Sequence, residues 1–419
     1  MPLVSELSGL KWQTNKNKKV SIKACLFAPK NRMETNMKNS FTRRVSALAL
    51  AVLMTLSLFA CENNPAQNPD ETQPDTTPET TETQAPDTEE IPVVVVPDLI
   101  NPLTGLECDK DFSTSRPVAV MLNNIRQAIP QHSVSQCDIL YECLAEGGIT
   151  RLMGVFAEYE SLGVVGSIRS SRHYYIDLAQ NHDALYVHAG ASDYAYNEIR
   201  ERKIDNFDGV HMYLPGMFYR DQERLQHMSL EHTLMTTGEK IRDGIAFKKY
   251  RTELKEGYSG KTAYAFAPYG ETVVLDGQES KCIYLPYSTY QQARFDYNEE
   301  DGKYYRFQWE DKEHLPHIDG NTGEQICFDN IFIVFCPTAR IPGDTYGRLD
   351  VTTEGTGTGY YITGGKYVPI TWEKPTADSA ITYYGADGNP LMVNRGKTFV
   401  SIFPTNNKDN VNLNYAPAN

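Results

Sequence analysis

Apolar residues fall into two different patterns along the chain, and the first begins near residue 100. Apolar runs of strand length, such as "RPVAVMLNN" (116–124) and "DALYVHAG" (183–190), alternate with segments of helical spacing. "SSRHYYIDLAQNH" (170–182) is one such segment, with apolar residues at Tyr175, Leu178 and Ala179. Strands that alternate with helices predict an α/β (α+β) layered N-terminal domain over residues 98–257.

The second pattern begins at Tyr258 and consists of short runs rich in aromatic and β-branched residues. Examples are "KTAYAFAPY", "QICFDNIFIVFCP" and "KTFVSIFP". Turn-forming sequences such as "EEDGK", "TGGK" and "GADGN" separate these runs. The pattern predicts a β-rich C-terminal domain over residues 258–410.

The N-terminal part of the chain has the pattern of an export signal. "MKNSFTRRVSALALAVLMTLSLFAC" begins at Met37 and places basic residues before an apolar run, Val45–Ala60, that is short for a membrane span. The run ends in "LFAC", which resembles a bacterial lipobox with Cys61 as the lipidated residue. We therefore predict a lipoprotein signal peptide over residues 37–61, and we interpret residues 1–36 as upstream sequence from a misassigned start.

Residues 62–97 differ in composition from everything that follows them. They are rich in Pro, Thr, Glu and Gln and contain no aromatic residue. Such a segment cannot bury enough apolar surface to offset its ordering entropy, so a disordered stalk is predicted. A lipid anchor and a stalk together predict a protein held at the cell membrane, on its extracytoplasmic face.

Charge and cysteine content restrict the function classes. The formal net charge of −14 argues against a nucleic-acid partner, which requires a basic surface. No metal or cofactor motif is recognised. Six cysteines follow the predicted lipidation site: Cys108, Cys137, Cys143, Cys282, Cys327 and Cys336. We interpret them as small buried hydrophobic residues, although an even number of cysteines in an exported protein permits disulfides.

Arg169 and Arg172 are the first candidates for chemistry, because they lie where a predicted helix begins. The free N–H groups and the dipole make a helix start positive, so two arginines there need negative charge. Either an anionic ligand supplies that charge, or Glu142, Glu146 or Asp177 does. Ligands of α/β sheets tend to lie beyond the carboxyl ends of strands, where further candidates occur. The candidate ligand-binding residues are Arg151, Arg169, Arg172, His188, Ser192, Asp193, Arg220 and His232.

Several of these candidates have a structural interpretation as well. Ser192 and Asp193 are first of all predicted caps of a helix. His188 ends a predicted strand beside Gly190 and is equally well explained as a structural histidine. Arg220 and His232 lie on the loop "YRDQERLQHMSLEHTL", which is placed to close over the same cleft.

The chain resembles the YerB-like lipoproteins of Gram-positive bacteria, which carry the domain of unknown function 3048. The matching segments include "RPVAVMLNN", "CDILYECLAEGGITRLMGVF" and "VGSIRSSRHYYIDLA" in the first half, and "FDNIFIVF" and "GTGTGYYITGGKYVPITWEKP" in the second. The resemblance covers nearly all of residues 100–405. It implies an extracytoplasmic body with an α/β and a β-rich part, and it implies no settled activity.

A second, weaker resemblance links residues 137–172 to the LytR-CpsA-Psr family. The shared order is a strand led by Asp, a turn, a second strand and an arginine-bearing loop after "SI". In that family, arginines bind the pyrophosphate of a polyprenyl-linked glycan that the enzyme attaches to the cell wall. Here the loop reads "SIRSSR" and lacks the Pro-Arg-Asp sequence of that family.

Two function classes therefore remain. The first is a noncatalytic lipoprotein that binds an anionic cell-envelope component or a protein partner. The alternative is an enzyme acting on lipid-linked or cell-wall glycan, a phosphotransferase similar to the LytR-CpsA-Psr family. The sequence leaves open whether the protein is an enzyme.

Overall fold

The computed structural model of the protein describes residues 95–416. Cys61, the predicted signal peptide and residues 62–94 of the predicted stalk lie outside the described residues. Within residues 95–416, no helix combines the length and the apolar character that a membrane span requires.

The first half of the body alternates strands and helices, as the apolar pattern predicts. The elements are β1 (Val118–Asn123), β2 (Ile139–Leu144), β3 (Thr150–Phe156), β4 (Val164–Gly166), α1 (His173–Gln180), β5 (Leu185–His188), α2 (Asp193–Glu201), β6 (Asn206–Asp208), β7 (Tyr219–Arg220), β8 (Leu234–Thr237) and α3 (Gly238–Lys248).

The second half contains strands and no α-helix between its described ends. The elements are β9 (Ala265–Phe266), β10 (Gln278–Glu279), β11 (Cys282–Pro286), β12 (Gln292–Asn298), β13 (Lys303–Glu310), β14 (Glu313–Pro316), β15 (Cys327–Phe328), β16 (Asn330–Cys336), β17 (Thr338–Arg340), β18 (Leu349–Val351), β19 (Gly355–Thr363), β20 (Lys366–Lys374), β21 (Thr382–Tyr384), β22 (Met392–Val393) and β23 (Thr398–Pro404). The mixed α/β class with few helices and many strands is thus confirmed.

One large sheet takes strands from both halves of the chain. Its order is β10-β20-β19-β16-β23-β2-β3-β1-β5-β6, and β21 pairs with β20. β23 lies between β2 and β16 and pairs in parallel with both, so that Phe399 is opposite Leu140 on one side and Ile331 on the other. β1, β3, β16 and β23 are buried along their whole length, which explains their nearly continuous apolar sequences.

The core lies on both faces of this sheet because side chains alternate along each strand. In β1, Ala119 and Met121 join the cluster that α1 covers, whereas Val118, Val120 and Leu122 join the cluster that α3 covers. A smaller sheet, β11-β12-β13-β14 with β15 beside β13, packs its buried face into the second cluster.

Strand direction brings several strand ends to one edge of the large sheet. β1 is parallel to β5 and antiparallel to β3, and β3 is antiparallel to β2, so β1, β2 and β5 point the same way. We call the side where these three strands end the carboxyl edge. The loop from Ser167 to Arg172 lies along it, since Asn123 donates its N–H to Ser167 O (3.0 Å) and Ala189 donates its N–H to Arg169 O (3.0 Å).

The six described cysteines are all free thiols. Cys137, Cys143 and Cys336 are buried, and the other three are partly exposed. Among residues 95–416, no three His, Cys, Asp or Glu side chains are grouped so that they could hold a metal ion.

Candidate functional site

Arg172 is the N-cap residue of α1, at the carboxyl edge. Its backbone is extended (φ −128°, ψ 153°), its side chain does not cap the helix, and the first turn of α1 contains no acidic residue. The side chain instead turns back toward the hairpin between β2 and β3. The helix start therefore has no negative charge of its own, as the sequence predicts.

Glu146, in the turn between β2 and β3, supplies a carboxylate to two arginines. Arg172 Nε donates to Glu146 Oε2 (2.9 Å), and Arg172 Nη2 donates to Glu146 Oε1. Arg151 Nη2 donates to Glu146 Oε1 at 3.0 Å. The turn forms because Gly147 and Gly148 adopt left-handed φ angles of 73° and 76°, which favour glycine.

The charges of the two arginines fix Glu146 in its ionised form. Burial raises the pKa of Glu146, but the hydrogen bond from Arg172 and the charges of Arg151 and Arg172 outweigh burial and lower the pKa to about 2. One carboxylate thus faces two guanidinium groups. This part of the site keeps an excess of one positive charge.

Arg151 is a buried arginine whose surroundings lower its pKa. It is 2% exposed on β3, and Arg151 Nη1 donates to Ser170 O. Burial, and next the charge of Arg172, lower the pKa of Arg151 to about 10. Its Nε is buried and has no hydrogen-bond partner within residues 95–416.

Arg169 has a different partner from the other two arginines. Its Nη1 lies 2.6 Å from Glu231 Oε2, and the Glu231 side chain is 50% exposed whereas that of Arg169 is 16% exposed. Arg169 Nε is buried and donates to no acceptor in the described part of the chain. Sequence reasoning missed Glu231, although this residue directly precedes His232 in the loop "YRDQERLQHMSLEHTL".

The other two proposed carboxylate partners lie elsewhere. Glu142 pairs with Arg306, and Asp177 accepts hydrogen bonds from Arg202 Nη1 (2.5 Å) and Thr353 Oγ1 (2.8 Å). Of the three carboxylates that the sequence analysis named as candidate partners, only Glu146 forms ion pairs with the arginines.

His188 is held by hydrogen bonds at both ring nitrogens. Nδ1 lies 2.9 Å from Gly190 O, and Nε2 lies 3.1 Å from Asn206 Oδ1. Burial lowers the pKa of His188. These contacts fix the end of β5 beside the loop that carries Arg169.

Ser192 and Asp193 begin α2, beside the end of β5. Ser192 is the N-cap residue and its Oγ accepts the N–H of Ala195 (3.2 Å). Asp193 lies in the first turn, where a negative charge is favourable, and its Oδ2 lies 3.1 Å from Arg348 Nη1.

Arg220 and His232 support the loop that carries Glu231. Arg220 Nη1 donates to Leu230 O and, at 3.4 Å, to Thr233 Oγ1. His232 is buried with Nδ1 2.9 Å from Asn123 Nδ2 and Nε2 3.7 Å from Glu231 Oε1. Burial lowers the pKa of His232.

A buried chain of polar side chains leads inward from His232, and sequence reasoning missed it. Asn123 O accepts from Gln131 Nε2 (3.0 Å), and Gln131 Oε1 lies 2.9 Å from His317 Nε2. His317 Nδ1 is hydrogen-bonded to Arg306, which pairs with Glu142. Two signals were available: the "NN" pair at the end of β1, and an arginine at a buried position of the alternating strand β13.

Comparison with known proteins identifies the family. Residues 103–251 match the family described as "Protein of unknown function (DUF3048) N-terminal domain", and residues 283–400 match its C-terminal domain. The chain belongs to the DUF3048 family. The resemblance to YerB-like proteins is thereby confirmed. Arg151, Arg169 and Arg172, which we call the arginine cluster, lie with Glu146 in the N-terminal DUF3048 domain.

One relative, YerB of Bacillus subtilis, is similar to this chain in both sequence and structure. "Putative lipoprotein YerB" of strain 168 is 28% identical over 306 residues, which is 72% of this chain and 86% of that protein. The crystal structure of YerB protein matches with a TM-score of 0.62 and 28% identity, over 73% of this chain and 96% of that chain. The similarity supports a DUF3048 lipoprotein of unassigned biochemical role.

Proposed function

We propose that this protein is a lipoprotein anchored on the extracytoplasmic face of the membrane, where Arg151, Arg169 and Arg172 bind an anionic cell-envelope ligand. The observation that carries the proposal is the unequal charge at the carboxyl edge. Glu146 is shared by Arg151 and Arg172, and the remaining carboxylate, Glu231, is half exposed.

The two carboxylates differ in how easily a ligand replaces them. Glu146 is held by hydrogen bonds from two arginines and contributes to the folded structure. An ion pair with an exposed partner such as Glu231 contributes only about 0–1 kcal/mol, so an incoming anion displaces Glu231 from Arg169 at little cost. Displacement of Glu231 frees the planar Arg169 guanidinium to donate to the anion, which favours phosphate-like groups that accept several hydrogen bonds.

The hydrogen bonds of the two histidines favour binding over catalysis. Both ring nitrogens of His188 have a partner, and those of His232 face Asn123 and Glu231. A general base needs a nitrogen that is free to face the substrate. The same contacts instead hold the arginine-bearing loop in place.

Thermal unfolding with and without pyrophosphate tests the proposed site. Arg169→Ala is expected to unfold within a few degrees of wild type and to lose stabilisation by pyrophosphate, with Kd raised at least about ten-fold. Arg172→Ala is expected to unfold at a lower temperature even without ligand, because Glu146 loses its bidentate partner.

Arg242→Ala is the matched control, since Arg242 is an exposed arginine of α3 that pairs with Asp243. It should retain both the wild-type melting temperature and the response to pyrophosphate. A wild-type protein that pyrophosphate does not stabilise, or an Arg169→Ala protein that it stabilises equally, contradicts the proposal.

Anchoring is proposed to depend on Cys61, because this residue ends the "LFAC" lipobox-like sequence. Cys61→Ser is expected to release the protein from membranes or to leave its signal peptide unprocessed. Cell fractionation and gel mobility measure this, with Cys108→Ser as a cysteine control that should remain membrane-bound. A Cys61→Ser protein that fractionates and migrates like wild type would contradict lipidation at this residue.

A further inference from the structure

A cavity of about 90 Å³ lies near the C-terminal end of α1, whereas the arginine cluster lies at the N-terminal end of the same helix. Residues from both halves of the chain line it. Most of its surface is apolar, and the residues that matter here are Leu103, Tyr141, His182, Tyr264 and Ile381. None of these residues belongs to the arginine cluster.

A buried chain of hydrogen bonds lies at one side of the cavity, and the donor and the acceptor of each bond in it can be assigned. The chain begins at Lys374 Nζ, which can only donate, and it donates to Asn181 Oδ1 at 2.7 Å. The amide of Asn181 therefore presents its Nδ2 to Tyr141, and Nδ2 donates to the Tyr141 hydroxyl oxygen at 3.4 Å.

The same logic fixes the proton positions of Tyr141 and His182. The Tyr141 hydroxyl lies 2.8 Å from His182 Nε2, which is its sole acceptor among residues 95–416. Tyr141 thus donates its proton to Nε2. Because burial, and next the charge of Lys374, lower the pKa of His182 to about 3, the ring is neutral and its single proton must be on Nδ1.

His182 Nδ1–H has no acceptor in the described part of the chain, and His182, a residue that is 7% exposed, lines the cavity. We propose that this cavity is a binding site for an uncharged, mainly apolar group that carries one hydrogen-bond acceptor, such as a carbonyl oxygen, and that His182 Nδ1 donates to that acceptor.

Size and charge define the ligand further. Pockets for drug-sized ligands measure about 300–1,000 Å³, so this cavity holds a single ring or a branched end rather than a large molecule. Lys261 also lines the cavity but is exposed to solvent, so a carboxylate beside His182 would meet a neutral imidazole and a mainly apolar wall, where a buried charge is unfavourable. An uncharged carbonyl satisfies the free donor without that penalty.

A matched pair of probes tests the proposed donor. Cyclohexanone and methylenecyclohexane have nearly the same shape, but only the ketone has a good acceptor. Titrations of the full-length protein followed by ligand-observed NMR are expected to show cyclohexanone binding about five-fold or more tightly than methylenecyclohexane. His182→Phe should weaken cyclohexanone to the level of methylenecyclohexane and leave the latter almost unchanged.

Substitutions at two alanines distinguish binding in the cavity from binding elsewhere on the surface. Ala263→Leu places a larger side chain in the cavity lining and should abolish binding of both probes. Ala246→Leu, on the exposed face of α3, should leave both affinities unchanged. The proposal is overturned if the wild-type protein, like His182→Phe, binds the two probes with equal affinity, or if it binds neither probe.

A measurement on the wild-type protein covers the case in which His182→Phe does not fold. Nitrogen-15 NMR of the histidine side chains, assigned through bonds, distinguishes the two neutral tautomers. The hydrogen-bond chain requires the Nδ1–H form at His182. Observation of the Nε2–H form would overturn the proposed donor, whatever the result of the pyrophosphate experiments at the arginine cluster.

Discussion

Glu142→Gln is expected to lower the free energy of unfolding by about 3–5 kcal/mol, because it breaks an ion pair that is removed from water. Glu142 Oε2 lies 2.7 Å from Arg306 Nη2, and both side chains are 0% exposed. Glu142 Oε1 also accepts hydrogen bonds from Asn124 Nδ2 (2.9 Å) and Thr150 Oγ1 (2.6 Å). Glutamine keeps the size of the side chain but leaves the charge of Arg306 uncompensated in the interior.

Denaturant unfolding at neutral pH measures this effect, and Glu299→Gln is the matched control. Glu299 pairs with Lys281 at a similar distance of 2.7 Å, but its side chain is 75% exposed, so the change should cost less than about 1 kcal/mol. The double variant Glu142→Gln/Arg306→Met removes both charges and should recover much of the loss. A loss below about 1 kcal/mol for Glu142→Gln alone would show that the charge of Arg306 finds another partner.

This ion pair also connects the two sheets. Glu142 lies on β2 of the large sheet, and Arg306 lies on β13 of the smaller one. The buried chain through His317, Gln131 and Asn123 continues from Arg306 to His232, which neighbours Glu231. Packing between the sheets and the position of the arginine-bearing loop therefore depend on the same hydrogen bonds.

Local elements of the first half could be predicted because their signals are local. The apolar run in "DALYVHAG" became β5, and the predicted cap Ser192 begins α2. The neighbours of β23 could not be predicted in this way. Its apolar sequence indicates a strand buried on both faces, but it contains no information on which strands lie beside it.

The sequence narrows the carboxylate partner of the arginines to three candidates, but it does not identify which of the three forms the ion pairs. The register of β2 and β3 decides between two of them: Arg151 is opposite Cys143, so Glu142, the preceding residue, points to the other face of the sheet. Asp177 is five residues beyond Arg172 on α1, whereas neighbours on a helix are three or four residues apart. Glu231 comes from a separate loop, and only the tertiary structure brings it to Arg169.

Lys374 is the second residue with a large expected effect, and its effect depends on pH. The side chain is 0% exposed, and burial lowers its pKa from 10.5 to about 8. Asp177, Asp378 and Glu354 raise the pKa and Arg202 lowers it, but burial is the largest influence. The folded protein thus binds this proton less tightly than the unfolded chain does.

Stability should therefore rise with pH over the interval in which only the unfolded chain keeps the proton, from about pH 8 to about 10.5. A shift of 2.5 pH units (10.5 minus 8) at about 1.4 kcal/mol each gives about 3 kcal/mol. Lys374→Met is the reference protein, because its side chain has similar length and no charge, while all other titrating groups are unchanged. Denaturant unfolding at intervals between pH 7 and 10.5 should show wild type gaining about 3 kcal/mol relative to Lys374→Met. Two parallel stability curves would mean that the Lys374 amine has an ordinary pKa in the folded protein.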